Sequence, residues 1–180
     1  MKYKFTFLLI IFATNNLFAE SQTSEAKHNY LDLKLGAAQI EKKAEPLGSL
    51  SYERIIADSF LIGLSAQYIR LQNEKEQKFF RGMDSSESSL ATATLSLGYQ
   101  YNLSQSWKPF VRIFGGGGQA KGNRQETDVW QYGLAIGTRF FFSESIYLNL
   151  ELAGSRFELR EERSKTTDVP QLTLGIGYSF

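Results

Sequence analysis

The chain has 180 residues, room for one domain. It is 42% hydrophobic and 22% charged with a net charge of +1, so it has no basic footprint for nucleic acid. It contains no Cys and one His, which excludes disulfides and thiolate metal sites and leaves a single base for any Ser–His–acid site.

Lys2 and Lys4 precede an apolar run from Phe5 to Phe12, and Ala13 to Ala19 lead into the polar Glu20–Ser24. A positive end, a short apolar core and a small residue at the cut predict a secretory signal over residues 1–19, cleaved after Ala19. Its loss removes two lysines and takes the net charge from +1 to −1. An uncleaved anchor needs about 20 apolar residues, and this run is much shorter. Residues 20–29 read as a polar, flexible lead-in.

From Tyr30 onward the pattern has a period of two, so alternate side chains share a face. Strand one, Tyr30 to Glu41, sets Leu31, Leu33, Leu35 and Ala37 against Asp32, Lys34 and Gly36. Lys42 to Leu47, with Pro46, reads as a loop. Strand two, Gly48 to Ile55, turns Leu50 and Tyr52 outward and Ser49, Ser51 and Glu53 inward. Ala57-Asp58-Ser59 is a tight turn, and strand three sets Phe60, Ile62, Leu64, Ala66 and Tyr68 against Gly63, Ser65 and Gln67.

A polar stretch from Gln72 to Ser88 follows, with Phe79 and Phe80 between Lys78 and Arg81. Strand four alternates Ala91, Ala93, Leu95, Leu97, Tyr99 and Tyr101 with Thr92, Thr94, Ser96, Gly98 and Gln100, and Asn102 to Ser106 turns. Strand five starts at Trp107 and is apolar on both faces around Arg112, which places Val111 and Ile113 outward. Gly117 to Asp128 reads as a Gly-rich, charged loop. The four glycines of Gly115–Gly118 precede no helix, so they are not a phosphate cradle and fit close strand packing.

Strand six turns Trp130, Tyr132, Leu134, Ile136 and Phe140 outward and Gln131, Gly133, Gly137 and Arg139 inward. After a turn at Phe142 to Ser145, strand seven turns Ile146, Leu148, Leu150 and Leu152 outward and Tyr147, Asn149 and Glu151 inward. Arg156 to Asp168 reads as a charged loop. Strand eight, Gln171 to Phe180, alternates Leu172, Leu174, Ile176, Tyr178 and Phe180 with small or polar residues.

The chain therefore reads as all-β over residues 30–180. Eight strands carry an oily outer face, with tight connections on one side and long ones on the other. Short periplasmic turns opposite longer external loops predict an eight-stranded antiparallel up-and-down transmembrane β-barrel. Aromatics cluster at both ends of the outward face, as membrane girdles do. A lipocalin would keep its apolar residues inside, whereas the inward face here carries Asp32, Lys34, Glu53, Gln67, Arg139 and Glu151.

The pattern, the segment WKPFVRIFGGGG (Trp107–Gly118) and the terminal GIGYSF resemble the small outer-membrane barrels of the OmpA/OmpX kind over Tyr30 to Phe180. The resemblance implies an outer-membrane location, contact with lipid and lipopolysaccharide, and a monomer. It also implies that the barrel-assembly machinery reads Tyr178 and Phe180 as an assembly signal.

The function expected is a surface-interaction scaffold presenting four external loops, with no catalysis and no cofactor. A narrow pore is the alternative, and a lipid-modifying enzyme ranks below it. His28 is the only candidate base, and the fold puts it on the opposite side of the membrane from Asp84 and Ser85. Phe79 and Phe80 are candidate loop contacts for a partner. Asp32, Glu53 and Glu151 with Lys34, Arg112 and Arg139 form an expected lumen charge network, with Arg139 facing Glu151 on the neighbouring strand.

Overall fold

The computed structural model describes residues 28–57, 59–71, 88–121, 126–160 and 165–180. Its strands are β1 (Asn29–Ile40), β2 (Lys43–Ala57), β3 (Phe60–Leu71), β4 (Ser88–Gln100), β5 (Trp107–Lys121), β6 (Glu126–Phe141), β7 (Ile146–Leu159) and β8 (Lys165–Ser179). Each pairs antiparallel with the next, and β8 returns to β1 through Tyr30↔Ser179 to Ala38↔Gln171. The sheet closes into an eight-stranded barrel with no open edge. In a bilayer that closure is required, because hydrocarbon offers no partner for unpaired backbone groups.

The two faces follow the period-two pattern. Leu33, Leu95, Ile113, Leu134 and Ile176 stand more than half exposed on the outside, while Lys34, Arg112 and Arg139 are buried within. Glycine is needed where interior aromatics approach the wall. A Cβ on Gly137 would strike the Phe110 ring, and one on Gly177 the Tyr147 ring. Gly116 and Gly118 are needed for another reason, since a Cβ on either would meet the backbone of β4 at Ala93 and Ala91.

The loop side differs from the sequence reading. Lys42 to Leu47 is not a loop: β2 begins at Lys43, and Glu41, with φ of 57°, helps make a two-residue hairpin turn. Gly117 to Asp128 is mostly strand, since β5 runs to Lys121 and β6 starts at Glu126. Arg156 to Asp168 likewise lies largely in β7 and β8, with Arg156 paired to Asp168 across them. Only residues 72–87 form a long connection, so the expected four loops become one long and three short.

The cause is a reversal of polarity. Above Tyr68, Trp130 and Leu172 the alternation continues, but many outward positions become polar and many inward ones apolar, with β2 an exception, where Ala44 and Pro46 face out and Glu45 in. Gln39, Arg70, Gln119, Asp128, Arg156 and Asp168 are exposed, while Ala38, Ile40, Ile69, Val129, Phe157 and Val169 are buried. This is the pattern of a barrel in water. The strands therefore extend past the lipid belt as a collar. From Trp130 to Glu126, at about 3.3 Å per residue and a tilt of about 40°, the collar rises about 10 Å.

Candidate functional site

The interior is filled in tiers. At the turn side Tyr30, Leu61, Phe110 and Tyr147 form an apolar floor, with Ile55 and Phe141 packed against it. Tyr30 meets Tyr147 edge-on, with centroids 5.7 Å apart. The Arg139 guanidinium sits 4.2 Å from the Tyr30 ring centroid and 4.6 Å from that of Phe110, so the floor also solvates a charge.

The ionic tier comes next. Glu53 takes Arg112 on one oxygen and Arg139 on the other. Arg112 also grips Glu151 through Nη2, at 2.6 and 2.8 Å, and Lys34 Nζ donates to Glu151 at 2.9 Å. Asp32 accepts from Asn149 at 2.9 Å, and Arg139 Nη1 donates to Gln100 at 2.7 Å. Glu53 and Glu151 thus interlock with Lys34, Arg112 and Arg139 across the lumen, and Asp32, held by neutral donors, balances the charge of the tier. A buried ion without a partner would be costly, and every member of this tier has one.

Above the ions runs a chain of amides and hydroxyls. Thr92 donates to Gln131 at 2.6 Å, Gln131 to Gln67 at 2.9 Å, and Gln67 to Gln171 at 2.8 Å. Gln171 donates to Ser155 at 2.9 Å, and Ser155 to the Val169 carbonyl at 3.1 Å. This relay crosses the barrel from β4 to β8. A cavity of about 30 Å³, lined by Lys34, Thr94, Glu151 and Thr173 among others, separates it from the ions. That volume suits a bound water among polar partners.

The collar closes the top. Ile40, Leu47, Ile69, Leu71, Leu90, Val129, Phe157, Leu159 and Val169 pack as one cluster inside it. Its outer wall carries the ion pairs Lys121–Glu126 and Arg156–Asp168, the latter at 2.7 Å. The Arg156 hydrogen bond holds the Asp168 carboxyl below the ordinary carboxylate range. Such an interior matches the side-chain packing of other eight-stranded barrels.

A family model described as outer membrane protein beta-barrel domain matches residues 5–180. The chain belongs to that family. No curated protein sequence matches it. Among solved structures, neisserial surface protein A aligns with a TM-score of 0.62 at 12% identity, covering 85% of this chain and 96% of that one. OprG from Pseudomonas aeruginosa gives 0.52 at 12%, covering 85% and 96%. Ail of Yersinia pestis, in complex with the heparin analogue sucrose octasulfate, gives 0.50 at 13%, covering 85% and 97%. At these identities the likeness is one of fold.

Within this outer-membrane barrel the six predicted lumen residues lie in one tier, but not in the pairing expected of them. Arg139 stands opposite Asn149, and Glu151 opposite Gly137. Arg139 reaches across the lumen to Glu53 instead, while Glu151 joins Lys34 and Arg112. Position on adjacent strands was the wrong criterion, because side chains in a narrow barrel meet partners from several strands away.

Tyr178 and Phe180 face outward at the turn side, stacked 6.0 Å apart. Phe79, Phe80, Asp84 and Ser85 lie outside the described residues, as do the leader and most of the lead-in. His28 lies exposed at the turn-side rim, at the far end of the barrel from Leu71 and Ser88, which bracket residues 72–87. The glutamine relay and the two apolar caps escaped the sequence reading. Gln67, Gln131 and Gln171 share the inward parity, and that was the available signal for the relay.

Proposed function

We propose that this barrel is a non-catalytic scaffold, exported through a cleaved leader and monomeric in the outer membrane, that presents residues 72–87 to lipopolysaccharide or an external partner. The observation that carries this reading is the lumen, filled from aromatic floor to apolar cap beneath a water-facing collar. A filled bore argues against solute passage, and the collar would lift the one long connection clear of the lipid surface. Phe79 and Phe80, between Lys78 and Arg81, suit an amphipathic anionic surface. Tyr178 and Phe180, on the closing strand, are the proposed assembly signal.

Replacing residues 72–87 with a short Gly-Ser turn tests the reading. The variant should refold and keep its thermal midpoint, yet lose binding to lipopolysaccharide vesicles, with heparin as a second polyanionic probe. Unchanged binding by a folded variant would overturn the assignment of function to this connection.

A further inference from the structure

Seven of the eight strand junctions join consecutive strands, so the chain itself tethers one end of each. The eighth, where β8 meets β1, has no tether. It is also the shortest of the eight ladders described, from Tyr30↔Ser179 to Ala38↔Gln171. Its strands lie at opposite ends of the sequence, so bringing them together carries the largest loop-closure cost in the fold.

The inner face of this seam supplies a hold of another kind. Asp32 and Lys34 of β1 share rows with Gly177 and Gly175 of β8, which in turn share rows with Tyr147 and Asn149 of β7. With no side chain on β8 at either position, both β1 side chains pass over it. Lys34 Nζ donates to Glu151 of β7 at 2.9 Å, and Asp32 accepts from Asn149 Nδ2, also at 2.9 Å. The two bonds run parallel, each advancing one inward position along β7, and all four residues are buried. The route needs glycine: a Cβ on Gly175 would strike the Lys34 stem, and one on Gly177 the Tyr147 ring. At the turn-side end a third side chain crosses the seam. Asn29 Nδ2 donates to the Phe180 carbonyl at 3.1 Å, while the Tyr52 hydroxyl donates to Asn29 Oδ1 at 2.8 Å.

The other ions of the tier leave the seam alone. Arg139 joins β6 to β2, and Arg112 joins β5 to β2 and β7. Charge neutrality by itself sets no condition on which strands are bridged. A bond from β1 to β7 does, because these strands stand two strand spacings apart, about 10 Å, only when β8 is seated between them.

We propose that Asp32 and Lys34 form a closure lock, in which two side-chain bonds from β1 to β7 clamp β8 into the β1 seam. Seating the last strand and completing the ionic tier are then one event, and a barrel without the lock opens at this seam before any other. The lock is independent of what residues 72–87 bind.

Amide exchange of barrels refolded into detergent micelles, followed by NMR, tests it. Lys34→Met keeps most of the stem and removes the bond. It should speed exchange of the amides paired between β1 and β8 by about tenfold or more, and of those paired between β4 and β5 by less than about twofold. Arg139→Gln, in the same tier but off the seam, should not single out β1 and β8. The sequence contains no cysteine, so a disulfide can be added cleanly at positions 33 and 176, which face each other across the seam. That bond should restore the seam's protection in Lys34→Met or, if this variant folds poorly, its yield of folded barrel by gel mobility. A disulfide between positions 97 and 113, across β4 and β5, should not. Equal acceleration at both junctions, unchanged exchange at the seam, or equal rescue by the two disulfides would overturn the proposal.

Discussion

The lipid-spanning zone and the collar are built from the same strands with the same period, yet their polarity is reversed. In β6, Leu134 faces out and Gln131 in, while Asp128, six residues before Leu134, faces out and Val129, five before it, faces in. A period of two states that a residue has a face. The surrounding solvent decides which face is oily, so a reversal within one strand marks where lipid ends and water begins.

The largest expected effect comes from breaking the ionic tier. Glu53→Ala takes from Arg139 its carboxylate partner, while Arg112 keeps Glu151, and should cost about 3–5 kcal/mol in urea unfolding. A double-mutant cycle on Glu53 and Arg139 should show coupling of about 0.5–3 kcal/mol, whereas Arg139 with Glu151 should come closer to additivity. Equal coupling in the two cycles would contradict the pairing.

A second comparison sets the two zones against each other on one strand and one face. Leu134→Arg, at mid-belt, should cost about 2–4 kcal/mol in the same assay. Asp128→Arg, on the collar wall, should leave stability within about 0.5 kcal/mol. A large loss at position 128 would mean that lipid reaches the collar.

The smallest effect lies at Arg156 and Asp168. Both are exposed, so Arg156→Ala should leave the unfolding midpoint unchanged. The pairing should be visible in titration instead. A lowered Asp168 pKa means that the ion pair persists above the ordinary carboxylate range and is lost as pH falls through the lowered value. NMR titration of the Asp168 carboxyl should show a rise towards the ordinary value in the Arg156→Ala protein.

The belt was fully legible in the sequence, because Leu31 to Leu35 or Leu148 to Leu152 alternate oily-out and polar-in. The collar was not. Expecting the oily face always outside turned Gly118–Lys121 into a loop, when it is strand with reversed polarity; Lys43–Leu47 was hidden by Pro46 and its charges, with Ala44 and Pro46 exposed and Glu45 buried, and Lys165–Asp168 by an unbroken polar run. The six lumen charges could be chosen by parity alone, but their partners could not. Whether Arg139 meets Glu151 or Glu53 depends on how far each side chain reaches across a closed barrel, which no single strand encodes.

The claim at the centre is that the bore is filled from floor to cap. Purified barrel in a planar lipid bilayer, recorded over a range of voltages, tests it most directly. The expected result is a baseline trace from wild type, with channel events emerging only when Glu53→Ala loosens the ionic tier. Steady single-channel conductance from the wild-type barrel would contradict it.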